Sequence, residues 1–113
     1  MTRGGYVYIL ASKGKRLYVG VTSELQQRVG QHKKRVHADS FTARYNIDQL
    51  VYYVGFETIG EAIAREKAIK DMHRVNKIAL IVALNPDWRD LSADWGKPSP
   101  PFDESKQTTQ TTF

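Results

Sequence analysis

Three short stretches of this chain carry β-branched and aromatic residues, and three others repeat apolar positions at helical intervals. Tyr6-Val7-Tyr8-Ile9-Leu10 and Leu17-Tyr18-Val19-Gly20-Val21 flank the polar turn Lys13-Gly14-Lys15-Arg16, so together they predict a β-hairpin. Leu50 to Glu57, rich in valine, tyrosine and phenylalanine, predicts a third and stronger strand. Between them, Thr22 or Ser23 is placed to cap a helix, and Gln26 completes a capping box if Ser23 is the cap. That helix carries Leu25, Val29 and Val36 on one face and Glu24, Arg28 and His32 on another. Gly30 inside it costs about 1 kcal/mol relative to alanine.

His37 to Asp48 is polar and reads as a loop. After the third strand, Thr58 and Glu61 form a second capping box, and Ala62, Ile63, Ala64, Ile69 and Met72 recur at helical spacing. Asn76 is expected to break or recap this run. Lys77 to Leu84 then forms a third helix, halted by Asn85-Pro86 because proline disfavours helix in the residue before it. Trp88-Arg89-Asp90-Leu91 is expected to pack back as a short turn, with Trp88 and Trp95 as packing residues. The order β-β-α-β-α-α predicts an α/β fold: a small, largely antiparallel three-stranded sheet flanked by helices. It occupies residues 1–96, and the Pro-, Ser-, Thr- and Gln-rich residues 97–113 read as a disordered tail.

At 113 residues there is room for one modest core. The chain has no cysteine, which excludes disulfides, thiolate metal sites and cysteine nucleophiles and suits a reducing compartment. Met1-Thr2-Arg3-Gly4-Gly5 has none of the apolar stretch of a signal peptide, and the longest apolar run, Ile78 to Leu84, is far below the roughly 20 residues that span a bilayer. A cytoplasmic protein is expected. The net charge of +5 is unevenly spread. Residues 1–37 hold eight lysines and arginines against Glu24 alone, residues 38–96 carry a slight acidic excess, and the tail is neutral. A basic patch placed this way attracts polyanions through phosphate contacts and counterion release, although a solvated lysine-rich face is the plainer alternative.

The same basic third contains Tyr8, Tyr18, Arg28 and His32, and Glu66 follows in the second helix. Phosphodiester hydrolysis needs a deprotonated nucleophile, charge stabilisation at the phosphoryl oxygens and help for the leaving alkoxide. Glu66 suits a hard divalent ion, Mg²⁺ or Mn²⁺, which often takes one protein carboxylate and fills its shell with water and phosphate oxygens. The plain alternative for Glu66 is an i,i+4 pair with Lys70. Arg28 offers a planar donor fork for phosphate, and His32, one turn on, brings an imidazole, the side-chain type that ordinarily titrates near neutrality. Strand tyrosines pack more often than they catalyse, and a phenol with a pKa of about 10 is a weak base unless its surroundings lower it.

Together these residues resemble the GIY-YIG nuclease domain, in the small single-domain bacterial form related to the nuclease domain of the bacterial excinuclease. The two motifs fall on Tyr6-Val7-Tyr8 and Tyr18-Val19-Gly20, followed by Arg28, His32 and Glu66. Tyr6 stands where the family has glycine, with Gly4 and Gly5 just before it. The resemblance implies an endonuclease that cuts DNA, including branched or damaged structures in repair or recombination. It also implies that Glu66 holds one metal ion, and that one phenol takes a proton from water while the other positions the phosphate. Tyr8 is favoured as base, with His32 its rival. The family's C-terminal asparagine falls on Asn85 or Asn76, and Asn85 is favoured. Lys13, Lys15, Arg16, Lys33, Lys34, Arg35, Arg44 and Tyr45 are candidate DNA contacts. With no helix-turn-helix or zinc module visible, specificity is expected to be low or to come from a homodimer or a protein partner. A non-catalytic nucleic-acid-binding module is the rival reading, and pure binding would gain nothing from Glu66. A protein-interaction domain would leave Ile78–Leu84 exposed, whereas that segment is expected to cover the sheet.

Overall fold

A computed structural model describes residues 4–35, 40–93 and 95. The tail from Lys97 and Val36 of the expected first helix lie outside them. Strands β1 (Gly5–Ala11), β2 (Leu17–Thr22) and β3 (Gln49–Phe56) form one antiparallel sheet in the order β2-β1-β3. As the central strand, β1 is buried along almost its whole length, which explains its continuous apolar run. Its alternate side chains divide two cores. Val7, Ile9 and Ala11 join Val19, Val51 and Tyr52 beneath α3 (Ile59–Lys70) and α4 (Arg74–Leu84). Tyr8 and Leu10 join Leu50 and Ile47 beneath α1 (Leu25–Lys34).

A β-bulge makes this division work on β3. Ile9 pairs with Tyr52 and Leu10 with Leu50, so Val51 is the extra residue. Val51 and Tyr52 therefore share the α3 side, and Leu50 returns to the α1 side beside Leu10. The outer edge of β3 is then closed by the segment after α4. Leu91 N–H donates to the Leu50 carbonyl at 2.7 Å, and Leu50 N–H donates to Asp90 Oδ1 at 3.2 Å. The Asn85 amide donates to the Val51 carbonyl at 3.2 Å. Covering an edge in this way blocks further strand pairing. The other edge, β2, carries the candidate site.

Several local expectations need correction. The Ser23–Gln26 capping box does not form: α1 begins at Leu25, Glu24 is its cap residue, and Thr22 Oγ1 instead accepts the Glu24 N–H at 3.0 Å. Thr22 still belongs to β2, so the chain turns later than the cap pattern suggests. The stretch read as a loop contains a short helix, α2 (Phe41–Arg44), capped by Ser40. The break between α3 and α4 falls at Asp71 to His73, and Asn76 lies inside α4. The Thr58–Glu61 capping box is complete. Helix α4 turns Ile81 into the core with Ile78 and Leu80 half-buried, while Val82 and Leu84 face outward.

Asp90 ties α1, β3 and the C-terminal segment together. It pairs with the Lys33 ammonium at 2.5 Å and accepts from the Leu50 and Ser92 N–H groups and the Ser92 hydroxyl. Burial works against its charge, but the bonds from Lys33, Ser92 and Leu50 outweigh burial and hold its carboxyl below the ordinary value of 3.8. A depressed carboxylate stabilises the fold fully above its unfolded pKa and loses that contribution as pH falls through the folded one. The native chain is therefore expected to lose stability as pH drops below about 4. Asp90→Asn is expected to cost about 1 kcal/mol at neutral pH, a figure already reduced for the exposure of the ion pair. It is also expected to flatten the acid limb. Urea midpoints measured across pH check both effects.

Candidate active site

Where β1, β2 and α1 meet, Tyr8, Tyr18 and His32 form a cluster. Tyr8 lies directly opposite Gly20 in the β1–β2 register. The Tyr8 ring lies over the space a side chain would fill. A Cβ added at Gly20 would stand 2.5 Å from Tyr8 Cζ and Oη and 3.0 Å from Tyr18 Cε2. The glycine of the second motif thus makes room for two rings.

Helix α1 supplies the third member. Its buried stripe of Leu25 and Val29 leaves His32 half-buried over the tyrosines and Arg28 exposed one turn earlier. His32 Nε2 lies 3.1 Å from Tyr8 Oη, and its ring centroid is 5.5 Å from that of Tyr18. His32 Nδ1 lies 2.9 Å from the hydroxyl of Thr42 on α2. Tyr8 is nearly inaccessible, and burial pushes its phenol well above the ordinary value of 10. Tyr18 and Glu66 push the same way, and the Arg28 guanidinium opposes them. Five expected residues therefore share one electrostatic neighbourhood.

Glu66 is mostly shielded, its side chain 13% exposed, and its Oε2 is 2.8 Å from the Lys70 ammonium. The plain i,i+4 pair is thus present. Its partner is exposed, so the pair is worth little, and Lys70 can swing aside. Among the described residues no group of three histidines or carboxylates gathers as a metal cage. A single shielded carboxylate fits a hard ion that keeps most of its water, and it fits no structural zinc site.

Asn85 makes its hydrogen bonds to other groups. It is buried, and its amide donates to the Val51 and Arg89 carbonyls while its oxygen accepts the Arg89 N–H at 3.0 Å. These bonds fasten the turn after α4 to β3. Asn76 is exposed on α4.

The candidate DNA contacts divide into groups. Arg28 and Arg35 both line the depression over His32. Arg28 also lines an adjoining depression at the start of α1, and Arg35 lines another beside Lys13 and Tyr45 near the hairpin turn. The Arg16 guanidinium stacks 4.1 Å from the Tyr45 ring centroid, and Phe41 packs against Tyr45 with centroids 4.9 Å apart. Arg44 is exposed on α2, and the Arg35 guanidinium donates to Asn46 Oδ1. Lys33 is occupied by Asp90 and Lys34 lies with it along a different depression, while the Lys15 ammonium sits 5.2 Å over Trp88. Thr42 and the space-making role of Gly20 are additions from the structure. Ser40 as an N-cap signal marks α2, but no local pattern ties Thr42 to a histidine ten residues earlier.

A three-stranded antiparallel sheet with paired motif tyrosines, an arginine and histidine on α1, and a glutamate on α3 defines a nuclease-type α/β domain. Residues 4–79 match the GIY-YIG catalytic domain, and the chain belongs to that nuclease family. It is 40% identical to a UPF0213 protein of Clostridium perfringens over 76 residues, covering 67% of this chain and 81% of that one. It is 36% identical to a UPF0213 protein of Staphylococcus saprophyticus, covering 67% of this chain and 92% of the relative. The solution structure of a UPF0213 protein from Bacillus halodurans shares the fold, with a TM-score of 0.51, 24% identity, and coverage of 83% and 98% of the two chains. No helix among the described residues is long and apolar enough to cross a membrane.

Proposed function

We propose that this protein is a metal-dependent endonuclease that hydrolyses phosphodiester bonds in DNA, including branched or damaged forms met in cytoplasmic repair or recombination. The observation that carries this reading is the 3.1 Å contact between Tyr8 Oη and His32 Nε2, at a phenol whose charge state also feels Arg28 and Glu66. It joins the two rival bases into one device. A phenol whose pKa is raised keeps its proton and cannot serve alone as a base. Tyr8 therefore accepts a proton from the attacking water as its own passes to His32 Nε2, and the proton finishes on the imidazole. An oxygen–phosphorus bond forms from that water as the bond to the leaving sugar oxygen breaks.

Arg28 reaches the phosphoryl oxygens with its donor fork, and Tyr18 orients the phosphate. Mg²⁺ or Mn²⁺, when held by Glu66, supplies positive charge to the phosphoryl group and the leaving alkoxide. The Glu66 carboxylate raises the Tyr8 pKa, and a cation held there would offset that effect. The DNA backbone follows the depression between Arg28 and Arg35 toward Lys13, with Arg16, Arg44 and Tyr45 flanking it. The pairing of Lys33 with Asp90 leaves it a lesser part. A homodimer or a protein partner supplies substrate choice.

The test is incubation of the native chain with supercoiled and branched DNA in Mg²⁺, Mn²⁺ or chelator. Cleavage in metal and its loss in chelator supports the reading. Binding without cleavage in every metal and on every DNA form would instead make the chain a non-catalytic nucleic-acid-binding module.

A further inference from the structure

A nuclease role explains why His32 faces Tyr8, but it does not say what presents the correct imidazole nitrogen as a proton acceptor. His32 has two ring nitrogens, and the neutral ring carries one proton between them. If Nε2 holds it, the 3.1 Å contact has His32 donating to Tyr8, and proton acceptance is blocked. If Nδ1 holds it, Nε2 is the acceptor the chemistry needs. A histidine side chain in water tends toward the unwanted Nε2–H form, so the protein must supply the bias.

The hydroxyl of Thr42 lies 2.9 Å from Nδ1. Thr42 is itself buried, and its backbone carbonyl is held by the Ile47 N–H at 2.8 Å. Its hydroxyl also lies 3.2 Å from Ser40 Oγ, which accepts the Ala43 N–H as the cap of α2. The hydroxyl can therefore accept from Nδ1–H and pass its own hydrogen to Ser40. This arrangement survives the reaction: when His32 becomes imidazolium, Nδ1 still donates to Thr42 and Nε2 now donates to Tyr8. No group has to turn during the proton transfer.

We propose that Thr42 is a positioning residue that holds neutral His32 as the Nδ1–H tautomer, so that Nε2 accepts the Tyr8 proton. This rests on the nuclease reading only for its consequence, because the tautomer exists without substrate. Helix α2 then has a function out of proportion to its four residues. Its Ser40 cap fixes the threonine, and the threonine fixes the histidine.

The experiment is ¹⁵N NMR of the His32 imidazole in the metal-free, DNA-free protein, above the pH at which the ring is charged. Native chain, Thr42→Ser and Thr42→Val are compared. The native chain and Thr42→Ser are expected to show Nδ1 protonated, and Thr42→Val, of almost unchanged shape, is expected to shift toward Nε2–H. A native ring already in the Nε2–H form, or a Thr42→Val ring that stays Nδ1–H, would overturn the proposal. In cleavage assays Thr42→Val is expected to fall by about 10- to 100-fold at unchanged DNA affinity, and Thr42→Ser to stay within a few-fold of native. An unchanged rate in Thr42→Val would equally count against it. Absence of cleavage by the native chain would refute the nuclease reading and leave the tautomer result to be judged by itself.

Discussion

Glu66→Gln is expected to remove cleavage while leaving the fold and DNA binding in place. The substitution keeps the shape of the side chain and removes the carboxylate charge that would anchor a divalent ion at this cluster. Charge stabilisation by such an ion is worth several kcal/mol in the transition state, so the rate should drop by about 10³-fold or more. Stability should hardly change, because the lost ion pair with Lys70 is a helical one with an exposed partner, worth a few tenths of a kcal/mol. DNA affinity in chelator should stay level or rise slightly, since a carboxylate near phosphate is repulsive. Plasmid nicking, a urea titration and a filter-binding or anisotropy measurement separate the three effects. Loss of binding together with cleavage would mean that Glu66 supports structure and not chemistry.

Gly20→Ala is expected to be nearly as severe for a purely geometric reason. The new methyl would meet Tyr8 Cζ and Oη at 2.5 Å. Tyr8 is packed in a core with Leu10, Leu25 and Val29, so its ring cannot move without a cost. Overpacking of this kind costs about 1–3 kcal/mol, which a folded chain can survive. The site should not. Displacing Oη lengthens the contact with His32, and an ångström of misplacement is enough for losses of about 10²-fold. The expected result is a folded, DNA-binding protein with cleavage reduced by about two orders of magnitude or more. Chemical shifts of the Tyr8, Tyr18 and His32 rings should move while those of α4 stay fixed.

These two residues also show what a sequence reveals and what it hides. Gly20 is visible as a motif letter, yet its reason lies in the cross-strand register that sets it opposite Tyr8. The hairpin, the third strand and the Thr58–Glu61 box are legible because each is decided within a few residues. The Val51 bulge is not, since two cores must be filled before an extra residue on β3 has any meaning. The Ser23–Gln26 pattern looks equally local and still fails, because β2 pairing holds the chain extended through Thr22. Asn76 has only weak helix propensity, and weak propensity yields to the packing of α4 through Leu80 and Ile81.

The candidate site follows the same division. Arg28 and His32 share a helical turn, which predicts one direction for both, and both line the same depression. Glu66 reads from sequence as either a metal ligand or a partner of Lys70. The ion pair is there, and it is compatible with either role because its lysine is exposed. Asn85 is legible as a helix stop, whereas its hydrogen bonds to the Val51 and Arg89 backbone depend on the chain returning to the β3 edge. Thr42 gives no local sign at all. Its meaning depends on α2 folding back onto α1, a contact between residues ten positions apart.

In the proposed mechanism the Tyr8–His32 pair, in contact at 3.1 Å, takes the proton of the attacking water. The most direct test is single-turnover nicking by Tyr8→Phe beside the native chain, in saturating Mg²⁺ with the protein in excess over DNA. Phenylalanine keeps the packing of the buried ring and deletes only the oxygen that faces His32. The expected result is a folded chain with native DNA affinity and a rate lower by about 10²- to 10³-fold. A Tyr8→Phe protein that nicks DNA at the native rate would contradict this mechanism.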